Sequence, residues 1–163
     1  MRYRTAADVF VGQPRVVDAV TMTNRLVGIT IDCADPARLA SFWSAMLNVA
    51  VTDEHSGDGE WATVGSRRDA RPRLTFQRVP EPKTVKTRIH LDLQVDAIDA
   101  GRRQVEALGG RWSGIRHDYD EGSVLVMHDP EGNEFCIVEY FDQHGQPPGS
   151  TLPGQRQSPR PST

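Results

Sequence analysis

Cysteine is scarce in this 163-residue sequence: Cys33 and Cys136 are the only two. They stand far apart, form no CxxC or other zinc-type spacing, and read as reduced thiols of a cytoplasmic protein. Long hydrophobic runs are missing as well, since none approaches the roughly 20 residues that a membrane helix needs. Met1-Arg2-Tyr3-Arg4-Thr5 is not followed by the apolar core of a secretion signal, so export is not expected. Nor does charge of one sign accumulate. With 19 basic and 22 acidic residues the net charge is -3, which leaves no electrostatic footprint for nucleic acid or an anionic membrane. There is no Walker-type loop, no GxGxxG after a strand and no GxSxG elbow, which sets aside nucleotide, dinucleotide and hydrolase-elbow readings.

What is present is a duplicated pattern. At 37% hydrophobic content the chain is long enough to bury a core without staples. Leu26 to Ile31 alternates apolar and polar residues like a half-buried strand, and Asp35-Pro36 supplies a helix N-cap with proline at the first helical position. Leu39, Phe42, Trp43, Met46 and Leu47 then form an apolar stripe, read as core. Strands follow at Val49–Val51, Glu60–Val64 and Arg73–Val79, before a proline-interrupted linker at Pro80-Glu81-Pro82. The second half repeats the order: a strand at His90–Val95, a helix capped by Asp96 and closed by Gly109-Gly110, then strands at Arg111–Arg116, Ser123–His128 and Phe135–Tyr140. An offset of about 62 lays Trp43 on Val105 and Met46 on Leu108, so the helix cores match in type. The expected organisation is an extension over residues 1–24, a domain over 25–142 with βαβββ modules at about 26–79 and 88–140, and a flexible Pro/Gly-rich tail over 143–163. The extension has a competing reading as an arm that packs on the domain or on a second subunit.

The chemistry gathers on one face of the His90–Val95 strand. Period two places Leu91, Leu93 and Val95 on one side and His90, Asp92 and Gln94 on the other, so the polar side is expected to line a pocket. His90 is either a histidine satisfied within the pocket wall or a general acid or base oriented by Asp92 or Gln94, with metal ligation a third option. Asp32, on the first strand with Gly28 and Thr30, either works with His90 as an acid and base pair or satisfies backbone donors ahead of the helix. Arg73, Thr75 and Gln77 share a face of the fourth strand and can orient an anionic or carbonyl-bearing ligand. Cys136 reads as a small buried hydrophobe within the ligand-binding surface, because no basic partner adjoins it. Trp61 and Trp112 are either cup wall or core; His55, His117, His128 and His144 lack ligand-like spacing and are expected to be exposed.

The duplicated unit, Asp35-Pro36 followed by Phe42-Trp43, the His90 strand, and Asp129-Pro130-Glu131-Gly132-Asn133 together resemble the vicinal oxygen chelate superfamily of glyoxalases, extradiol dioxygenases and bleomycin-resistance proteins. Phe76 to Lys83 with His90-Leu91-Asp92-Leu93 is similar to a glyoxalase-like subgroup. The resemblance implies an α+β fold in which the two βαβββ modules form a cupped, mixed eight-strand sheet with helices on the convex face and the site inside the cup. It places the metal ligands of metal-dependent members on Gly28, on Thr75 or Gln77, on His90 and on Cys136. Glycine offers no ligand and cysteine stands where glutamate is usual, so no metal and no other cofactor is expected. The expected function is metal-independent proton transfer on a small organic molecule, a lyase or isomerase reaction. The alternative is a non-catalytic binder of the bleomycin-resistance type. A homodimer is expected in either case.

Overall fold

The computed structural model describes residues 24–52 and 58–141. The expected 1–24 extension and 143–163 tail, together with His55 and His144, thus lie outside the described residues, apart from Asn24. Within them the chain runs β1 (Gly28–Cys33), α1 (Pro36–Leu47), β2 (Trp61–Val64), β3 (Arg73–Arg78), β4 (Asp92–Gln94), α2 (Ile98–Ala107), β5 (Arg111–Tyr119), β6 (Gly122–His128) and β7 (Glu134–Tyr140). The fold is α+β, with two mixed sheets ordered β1-β3-β2 and β4-β7-β6-β5. Each module opens with a strand that pairs in parallel with its last strand, β1 with β3 and β4 with β7.

Three local expectations are corrected. The strand expected at Val49–Val51 shrinks to one antiparallel bridge, Val51 to Val64, so the described residues form seven strands plus that bridge. The His90 strand contains only Asp92–Gln94, because its ladder to β7 begins at the Leu91 carbonyl, which accepts from the Cys136 amide at 2.9 Å, and ends at the Val95 amide. His90 therefore precedes the strand. Asp96 does not cap α2 either. The helix starts a residue later, with Ala97 at the N-cap, and the buried Glu139 carboxylate of β7 accepts from the Ile98 amide at 3.1 Å. By contrast, Asp35 caps α1 as the sequence suggests, accepting from the Arg38 amide at 3.1 Å.

The modules are bound by shared core and by one side chain. Phe42 and Trp43 of α1 stack edge-on against Phe135 of β7, with ring centroids 5.9 and 5.0 Å away, so the first helix buries its stripe partly on the second module's sheet. Glu131, from the Asp-Pro-Glu-Gly turn, reaches the start of α1. Its two carboxylate oxygens accept from the Ala34 and Asp35 amides at 2.7 Å each, where the helix leaves amides unpaired and its dipole favours negative charge. Asp129 holds that turn from beneath. It is fully buried and accepts from the Glu131 and Asn133 amides and from the Asn133 side chain. Burial pushes its carboxyl up, with those hydrogen bonds pulling the other way.

Candidate functional site

Cross-strand register sorts the expected site residues into two groups. On module one, Thr30 lies opposite Thr75, Asp32 opposite Gln77 and Gly28 opposite Arg73, so all share the face turned away from the core. Trp61, opposite Gln77 and 41% exposed, borders that face, which makes it wall rather than core. Trp112, by contrast, is core-facing: it packs against the buried cluster, its indole nitrogen donates to the Ile115 carbonyl, and the Arg102 guanidinium lies over its ring. On module two, Asp92 lies opposite Cys136 and Gln94 opposite Val138. Asp92 and Gln94 are exposed and His90 is half-buried.

The two groups sit on separate sheets. Asp32 and His90 are therefore not brought together as an acid and base pair within one chain. Asp32 is exposed, and the amides ahead of α1 go to Asp35 and Glu131 instead. Burial first, then the Asp92 carboxylate opposite it, push the Cys136 thiol up to about 11. No hydrogen bond links His90 to Asp92 or Gln94 among the described residues.

The residues at the family's ligand positions do not fit a divalent metal. Gly28 has no donor, and a Cβ there would lie 3.2 Å from the Arg73 side chain, so a cation already flanks the position. The Cys136 thiol is held protonated, whereas a metal takes the thiolate. Among the described residues no three His, Cys, Asp or Glu side chains gather as a metal site.

Two features were missed at the sequence level. His128, expected to be exposed, is half-buried, and its Nδ1 is shut off from solvent without a partner. It forms a row with Arg111 and Glu134, its neighbours across β5 and β7, and burial followed by Arg111 lowers its pKa. Glu134 in turn holds the linker: Lys83 Nζ and the Thr87 amide each donate to it at 2.9 Å. Burial opposes ionisation there, but the hydrogen bonds from Thr87 and Lys83 outweigh it and hold the carboxyl far below the usual range. The pairing of His128 with Glu134 follows from hairpin register, which the Asp-Pro-Glu-Gly turn between them signals.

The second missed feature is the cavity. A cleft of about 1040 Å³ opens between the modules, walled by Ile29, Met46 and Leu74 on one side and by Leu91, Leu93 and Val95 on the other. Asp92 and Gln94 reach its edge, but its walls come from the opposite, apolar face of β4 to the one expected to line a pocket. Among the described residues β4 hydrogen-bonds only to β7, and β1 only to β3, so no strand bridges the gap between them.

Comparison with known proteins gives a consistent picture. The family model described as a glyoxalase-like domain matches residues 28–138. Among solved structures, a glyoxalase/bleomycin resistance protein/dioxygenase family enzyme from Burkholderia phytofirmans PsJN is 17% identical, with a TM-score of 0.58, over 71% of this chain and 98% of that one. A glyoxalase/bleomycin resistance protein/dioxygenase from Nocardioides is 13% identical, TM-score 0.56, over 82% and 93% of the two chains. TioX from Micromonospora sp. ML1 is 14% identical, TM-score 0.52, over 72% and 100%. No curated protein matches.

Proposed function

The chain belongs to the glyoxalase-like domain family, and on that premise we propose that it binds a small organic molecule on the polar faces of its sheets and moves a proton on it without a metal. The observation that carries this reading is a half-buried histidine, His90, flanking a strand whose outward residues, Asp92 and Gln94, are polar. A neutral imidazole at that place takes a proton from carbon next to a carbonyl and returns it to a neighbouring atom in an isomerisation, or to a leaving group in an elimination. Arg73, Thr75 and Gln77 provide a cation and hydrogen-bonding groups for the carbonyl or carboxylate that gathers charge meanwhile.

Both polar faces are needed for this step, and in one chain they stand on separate sheets, with β1 and β4 unpaired along their outer edges among the described residues. Two copies that pair β1 of one with β4 of the other set a module-one face against a module-two face, and we propose this homodimer as the working form. A second reading, non-catalytic capture of the ligand, is favoured by one observation: among the described residues His90 has no orienting hydrogen bond.

Deuterium exchange separates the two readings. Candidate hydroxy- and keto-compounds are incubated in D2O and followed by proton NMR. The proton-transfer reading expects exchange at carbon in the wild type and a loss of at least about 100-fold in His90→Ala, the scale of a general acid or base. Saturable binding with no exchange in either protein rejects it and leaves capture.

A further inference from the structure

His128 has no task in the chemistry proposed so far, yet it stands on the same face of the same sheet as Asp92 and Gln94. Along β6, Leu125 and Met127 belong to the buried core cluster, and Val124, Val126 and His128 alternate with them on the other side. Register carries that other side across the sheet. Val126 lies opposite Cys136, which lies opposite Asp92, and Val124 lies opposite Val138, which lies opposite Gln94. His128 takes the next place along β6, between Glu134 on one neighbouring strand and Arg111 on the other.

Two backbone points hold His90 near the same row. The Thr87 amide donates to the Glu134 carboxylate and the Leu91 carbonyl accepts from the Cys136 amide, each at 2.9 Å, so the chain that carries His90 passes the start of β7. At about 4.8 Å between strands, His128 lies two spacings, about 10 Å, from the line of β4, a gap that a small molecule touching two imidazoles spans. Glu134 stands between them with its carboxylate drawn to Lys83 and Thr87. The His128 ring offers one nitrogen to that gap. Nδ1 is shut off from solvent without a partner, whereas Nε2 is open and makes no hydrogen bond among the described residues. Burial and then Arg111 lower the pKa, with Lys83 in support and Glu134 and Asp129 opposed, so the ring is neutral at pH 7.

We propose that His128 is a second catalytic residue of this face, a neutral donor whose Nε2–H holds the carbonyl oxygen of the substrate while His90 works on the adjacent carbon. The inference rests on the proton-transfer reading above and deepens it. When His90 takes the proton, the electron pair of the C–H bond moves toward the carbonyl and the oxygen gathers the charge of an enolate. The Nε2–H bond strengthens with that charge, His128 keeps its proton, and His90 delivers the one it took, so no oxidant or reductant enters. With Nδ1 enclosed, the ring keeps its one proton at the open nitrogen. Val124, Val126 and Val138 floor the face beside the two histidines, so the substrate class is a ketone or aldehyde with hydrogen on the next carbon and an apolar body.

4-Nitrophenolate, an apolar body with an oxyanion in place of the enolate oxygen, tests this on the full chain by absorbance titration, with 15N-histidine NMR of the same samples. Saturable binding that moves the His128 Nε2 resonance is expected. His128→Leu, which has no donor, weakens it by at least about tenfold, and His128→Gln, whose amide restores an N–H, keeps it within about threefold of wild type. Denaturant midpoints check that both variants fold, and the wild-type resonance decides where they do not. In the D2O experiment His128→Leu slows exchange at carbon by about 100-fold, the scale of one lost oxyanion donor. The proposal is overturned by the absence of saturable binding, by an Nε2 resonance that stays in place, or by equal affinity in wild type and His128→Leu. Exchange that needs His90 but is untouched in His128→Leu also overturns it and leaves the proton-transfer reading standing. Phenolate binding that depends on His128, with no exchange at carbon in any of the proteins, rejects that reading and supports the donor.

Discussion

Module one and module two share a topology but secure it differently. In module one a helix cap three residues from its amide, Asp35, starts α1, and the sheet has three strands with its second strand worn down to a bridge. In module two the cap for α2 comes from Glu139, 41 residues away on the last of four strands, and the same half also reaches across to module one through Glu131. Duplication has kept the order of elements while moving the fixing contacts. Module two anchors itself and its sibling, and module one relies on it.

That asymmetry can be broken in steps. Glu131→Ala should cost the most, about 2–4 kcal/mol by urea denaturation, because it removes two charge-assisted hydrogen bonds that join the modules. If the modules were independent, the loss would be no greater than that of a surface residue. Glu139→Ala comes next at about 1–2 kcal/mol, the worth of a helix cap, with amide exchange at the start of α2 rising while α1 stays protected. Asp35→Ala should cost about 1 kcal/mol and leave α2 unaffected, which sharpens the contrast between a local and a distant cap.

The linker clasp gives a pH test. Glu134 has a depressed folded-state pKa, so its stabilisation is complete above the unfolded carboxylate value near 4.5 and is lost as pH falls below it. Wild type should therefore exceed Glu134→Gln in denaturant midpoint at pH 7, and the gap should narrow by pH 3. An unchanged gap would detach the clasp from Glu134 ionisation. The smallest effect concerns the thiols. Cys33, pushed up to about 12 by burial and then by Glu131 and Asp35, and Cys136, at about 11, should both alkylate more slowly at pH 8 than a free thiol. Asp92→Asn should speed Cys136 alone, as read by mass spectrometry of labelled peptides.

The repeat, the faces of each strand and the Asp35 cap were legible in the sequence because each depends on residues a few positions apart. Period two assigns His90 and Leu91 to opposite sides of a strand whatever lies beyond. It does not say where the ladder with β7 begins, nor which side opens on a cavity, since that depends on β1 and β4 remaining unpaired. The same limit explains Asp96, a good local cap displaced by a buried glutamate from β7, and His128, whose setting is set by Arg111 and Glu134 on neighbouring strands. The alternation that puts the polar groups of the candidate site on one side of each strand was legible, but their division between two sheets is a property of module packing that no short window carries.

Gly28 is where the shape of this chain and its charge meet. A Cβ there would lie 3.2 Å from the Arg73 Cγ and 3.3 Å from its carbonyl oxygen, so any side chain at 28 asks Arg73 to give by a few tenths of an ångström. A histidine introduced there to rebuild a metal centre would stand beside a guanidinium, which opposes a divalent cation at the same place.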